Sequence, residues 1–190
     1  MNLLSPLYEV CSTLESNILK GKAYQLRGAS PPDPARKRVI EISYSPALEK
    51  KFDERLIKST ILTALENQAA PKDATLSILL TDDEQIRSLN RDYRGFDAPT
   101  DVLSFEVHER DPETGSLYLG EIIVSMPYAA KQALQNDHPL EAEIQLLVVH
   151  GILHLLGHDH AENEEKTIMW AAQAKILSKL GLSNIKITES

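Results

Sequence analysis

The stretch from Pro139 to Leu156, PLEAEIQLLVVHGILHLL, constrains this chain more than any other. Pro139 suits a helix start, and the run is long enough for several turns. It is also apolar on nearly every side, and such a helix is stable only when buried. The rest of the chain must therefore surround it. Yet its end is crowded with titratable rings: four of the chain's six histidines fall within His150 to His160, HGILHLLGHDH.

The surroundings can be read from periodicity. In RVIEISYS, residues 38–45, Val39, Glu41 and Ser43 alternate with Ile40, Ile42 and Tyr44, as in a strand. From Asp53 to Asn67, Leu56, Ile57, Thr60, Ile61, Ala64 and Leu65 recur at helical spacing. Residues 74–80 predict a second strand. A helix is expected from Thr81 to Tyr93, with Thr81 and Glu84 placed as a capping box. Residues 101–107 and 117–125 read as strands, and HERDPETGS between them as a loop. A short helix is expected over Pro127–Gln135. The last, Glu162 to Leu180, has Ile168, Met169, Ala172, Ile176 and Leu180 on one face, with Gly181 to stop it. The order β-α-β-α-β-β-α-α-α, with a short link between strands three and four, predicts a hairpin in a mixed sheet. The fold class is α+β: one domain over residues 38–190, a mixed four-stranded sheet packed with about five helices.

Residues 1–37 read as an extension. Ser5 to Gly21 has a helical pattern, and a proline-rich linker, GASPPDPARKR, follows it. Charge and cysteine content narrow the setting. The formal net charge of −8 argues against indiscriminate nucleic-acid binding, because that affinity comes from cations on phosphates. The one cysteine, Cys11, suits a reducing compartment. With no apolar run of membrane-spanning length, a cytoplasmic protein is expected.

His150 and His154 are one helical turn apart, so both imidazoles leave the same face. That is how a helix offers two nitrogens to one metal ion. His158 and His160 compete for third place. His158 continues the spacing of four, whereas a left-handed turn at Gly157 would let His160 fold back toward the pair. Three neutral nitrogens with an open position suit a catalytic zinc site. Asp159 is either a partner to a ligand or a turn residue. Gly151 stands where the zinc-peptidase motif H-E-x-x-H has its glutamate base, so peptide hydrolysis is the weaker expectation.

HGILHLLGHDH resembles the H-G-x-L-H-L-x-G-x-D-H signature of the YbeY family of metal-dependent endoribonucleases. LNRDYRGFDAPTDVLSFEV, residues 89–107, is similar to a second block of that family, and LGEIIVS, residues 119–125, to a third. The resemblance implies a mixed sheet with helices, zinc held by His150, His154 and His160, and action on single-stranded RNA, notably the 3′ end of small-subunit rRNA. It places a functional arginine at Arg94 and a tyrosine, in many members, where His158 stands here. Implied partners are RNA and the small ribosomal subunit or its proteins, with no membrane. Arg87, Arg91 and Arg94 share a helix face suited to phosphate. Two rival functions remain: a ribosome-assembly factor with a structural metal, and, more weakly, a metallopeptidase.

Overall fold

A computed structural model of the chain describes residues 38–48 and 52–187. The N-terminal helix and linker expected over residues 1–37 lie outside the described residues. The elements follow the order β1 (Ile40–Tyr44), α1 (Glu54–Asn67), β2 (Ala74–Thr81), α2 (Asp83–Arg94), β3 (Val102–Arg110), β4 (Leu117–Ser125), α3 (Met126–Asn136), α4 (Leu140–Leu155) and α5 (Asn163–Lys179). The sheet order is β1-β2-β4-β3. β1 and β4 run parallel to β2, and β3 pairs antiparallel with β4. The class is therefore α+β, with a four-stranded mixed sheet and five helices among the described residues. None of those helices is long and apolar enough to cross a membrane.

α4 is the buried axis. It packs against β3, β4, α1, α3 and α5, and Ile144, Val148, Val149, Ile152, Leu153 and Leu155 are completely buried. Gly151 sets how closely it approaches the sheet. A Cβ at that position would stand 2.9 Å from Ile122 Cγ2 on β4. On the strand itself, Gly120 has φ +138°, and a Cβ there would meet the Phe105 carbonyl oxygen at 2.0 Å. Only glycine allows β3 and β4 to pass each other here.

Three local readings need correction. The cap of α2 is Asp82, whose carboxylate accepts from the Gln85 amide; Thr81 is the last residue of β2 and donates to Gln85 Oε1 at 2.6 Å. β3 continues to Arg110, beyond the expected end at residue 107. The ladder shifts register between Glu106 and Glu109, where His108 has φ +55°, and a shift of that kind breaks the alternation used to recognise a strand. Finally, Ile168 is 55% exposed. The buried face of α5 is Met169, Gln173, Ile176 and Leu177, so a glutamine occupies a core position.

Candidate metal centre and groove

The site forms where α4 ends. Gly157 takes φ +82°, and two hydrogen bonds close the helix: His158 N–H to Leu153 O at 3.0 Å and Gly157 N–H to His154 O at 2.8 Å. This is the Schellman arrangement, with glycine at its left-handed position. The chain then doubles back. Asp159 Oδ1 accepts from the His160 amide at 2.7 Å, and that bond holds the Asp159 carboxyl below its ordinary range. Asp159 thus accepts from the backbone of the turn that carries His160.

The turn brings His150, His154 and His160 together, with one ring nitrogen from each lying within 4.8 Å of the others. Nε2 of His154 and Nε2 of His150 are 3.1 Å apart. Two ring nitrogens that close need a proton or a cation between them, because their lone pairs otherwise repel. His150 Nδ1 faces Gln173 Oε1 at 3.1 Å. An amide oxygen only accepts, so Nδ1 carries the proton and Nε2 presents its lone pair to the cluster. Burial pushes the His150 imidazole below its ordinary value. It pushes His154 down to about 4, helped by the neighbouring His150 and His160. Both rings are thus neutral near pH 7, the form a metal ion requires. The donor set fits a borderline ion such as zinc, with protein ligands on one side and an open groove on the other.

His158 does not join them. Its Nε2 meets Gln68 Oε1, at the end of α1, at 3.1 Å. His108 does a separate job: its Nε2–H donates to the Leu155 carbonyl at 2.7 Å, satisfying an otherwise orphaned group at the end of α4. Gly151 faces Ile122, so a glutamate at that position would enter the core instead of the groove.

The cluster opens into a groove of about 790 Å³ shared with Arg94, Phe96, Ser104 and Asn90. The three arginines of α2 part company there. Arg87 makes a bidentate pair with Asp97, at 2.8 and 2.9 Å, and Arg91 pairs with Asp92 at 3.0 Å. Arg94 has no carboxylate partner among the described residues, and its charge helps to keep His150 neutral. Asn90 Nδ2 donates to Ala98 O at 2.8 Å, so the loop after Arg94 is braced by its own helix. A second, smaller cavity of about 90 Å³ lies beside His150 and His160, walled by Asp101, Glu143, Gln132 and Trp170.

Gln173, Asp101 and Phe96 escaped the sequence reading. Phe96 and Asp101 lie inside the 89–107 block without having been singled out, and Gln173 left a signal as a polar residue four after Met169 and three before Ile176.

Comparison with known proteins agrees with this geometry. The family described as Endoribonuclease YbeY matches residues 41–181. An Endoribonuclease YbeY from Geobacillus kaustophilus is 44% identical over 137 residues, covering 68% of this chain and 85% of that protein. One from Pelotomaculum thermopropionicum is 39% identical over 150 residues, covering 73% and 99%. The solution structure of TM1509 from Thermotoga maritima superposes with a TM-score of 0.51 at 25% identity, covering 77% of this chain and 94% of that one. With the matched span enclosing the helix, the turn and all three imidazoles, the chain belongs to the YbeY endoribonuclease family.

Proposed function

We propose that this protein is a zinc-dependent endoribonuclease that cuts single-stranded RNA, with the 3′ end of small-subunit rRNA as its substrate and the cytoplasm as its setting. One observation carries the reading: three imidazoles converge on a groove whose wall bears an arginine with no carboxylate partner among the described residues. His150, His154 and His160 would hold the ion. When bound, it supplies Lewis acidity to a phosphoryl oxygen and to attacking water.

The chain's own groups do the rest. Arg94 presents a planar guanidinium to a phosphate and offsets charge that develops during cleavage. Among the described residues no carboxylate has to be displaced first. Gln173 holds His150 in the tautomer that points Nε2 at the groove. The Gly157 turn delivers His160 from outside the helix, giving three ligands on one side. The small ribosomal subunit is the partner that would bring an acidic protein to its RNA, since the net charge of −8 opposes unaided binding.

The test is metal analysis of the purified protein beside cleavage of a single-stranded RNA. Wild type is expected to carry about one zinc per chain and to cut. His154→Ala should lose both, and Arg94→Ala should keep the metal but lose cleavage. Cleavage at the wild-type rate by either variant would overturn that residue's role. Cut ends bearing a 2′,3′-cyclic phosphate would replace water by the RNA's own 2′-hydroxyl as the attacking group. A protein that binds ribosomal particles and never cuts would instead be an assembly factor.

A further inference from the structure

The groove is flanked by two exposed aromatic rings that the chemistry above does not use. Phe96 is 68% exposed and lines the large groove beside Arg94 and His154. Its loop is braced rather than loose. Gly95 turns the chain at φ +78°, Asn90 holds Ala98, and Arg87 grips Asp97. A fixed loop therefore holds an apolar ring out in water beside a cation. On the other side, Trp170 lines the small cavity, with Lys166 Nζ 4.8 Å from its ring centroid. The two hollows share His150, His160, Asp101 and Val102 as walls, so two of the three imidazoles border both the hollow with Phe96 and the hollow with Trp170.

The hollows also differ in chemistry. The large one offers the Arg94 guanidinium, which suits a phosphate. The small one is lined by Asp101 and Glu143, both nearly fully buried; Asp101 already accepts from the Val102 amide and from Gln132 Nε2, and Glu143 already pairs with His138 Nε2. Carboxylates repel a phosphate, and the lone pairs these two keep beyond their own partners accept from the amino and imino groups of a nucleobase edge. Flat aromatic faces beside such acceptors suit a base, because every base has a π-face to stack.

We propose that Phe96 and Trp170 are stacking platforms for the two nucleotides that flank the cleaved phosphate. The base on the Trp170 side turns its hydrogen-bonding edge toward Asp101 and Glu143. This rests on the reading of RNA as the substrate, and it accounts for a single-strand requirement: bases already paired in a duplex cannot be splayed onto separate rings.

Trp170 is the chain's only tryptophan, so its fluorescence reports its own site. The experiment uses the metal-loaded full chain, mixed rapidly with a short unstructured single-stranded RNA so that binding is read before cutting. Binding should quench the tryptophan. Phe96→Ala and Trp170→Ala should each weaken binding roughly 5- to 100-fold. Phe96→Leu keeps the apolar character but loses the π-face and should be as weak as Phe96→Ala, whereas Phe96→Tyr should restore affinity. An unquenched tryptophan, or Phe96→Ala binding within about twofold of wild type, overturns the proposal and leaves the RNA reading standing. A wild-type protein that binds no single-stranded RNA overturns both.

Discussion

Gln173 Oε1 on α5 lies 3.1 Å from His150 Nδ1 on α4 and fixes which nitrogen of that ring faces the groove. Partners of this kind typically tune metal affinity by 10- to 100-fold. Gln173→Leu should therefore weaken zinc binding by about that factor, read by competition with a chromophoric chelator. Gln173→Glu keeps the acceptor and should retain the affinity. Equal affinity in the leucine variant would remove Gln173 from the site.

Gly151 lies against β4, where a methyl group would press on Ile122 at 2.9 Å. Overpacking a close-packed core costs roughly 1–3 kcal/mol. Gly151→Ala should lower the denaturation midpoint accordingly. Gly151→Glu should fail to fold rather than gain peptidase activity. A soluble, folded Gly151→Glu protein would contradict the packing described.

The left-handed turn at Gly157 makes a different prediction. No atom crowds a Cβ there, so the cost is conformational and comes to about 1–2 kcal/mol. Gly157→Ala should be less stable by that amount. It should also bind zinc more weakly, because the same turn delivers His160. Thermal melts and chelator competition check the two effects separately.

Glu121 on β4 sits between Ser77 and Phe105 in the ladder, and burial raises its carboxyl to about 7. A folded-state value above the unfolded one means that the folded protein holds the proton more tightly. Below the unfolded value both states are protonated and nothing is lost. Stability should then fall as pH rises toward 7 and level off above it. Glu121→Gln removes this dependence and should stabilise the protein at pH 8 by on the order of 2 kcal/mol. Urea denaturation at pH 5 and pH 8 measures both the slope and its loss.

The sequence alone carried the fold class and named the candidate site residues. The buried helix, the flanking strands and the β3–β4 hairpin follow from periodicity and turn spacing, which are properties of consecutive residues. The pairing of His150 with His154 is equally local, since one helical turn sets it. Tertiary structure decided what depends on distant segments meeting. By spacing alone His158 and His160 were equal candidates, and only the family pattern favoured His160. Gln68, ninety residues away, engages His158, while the turn at Gly157 carries His160 to the pair. Arg87, Arg91 and Arg94 looked alike on one helix, yet Asp97 folds back onto Arg87 and leaves Arg94 to the groove. Gly151 was legible only as a missing base; its positive role is a distance to Ile122. In each case the deciding partner is remote in sequence, and the interaction exists only once the chain has closed on itself.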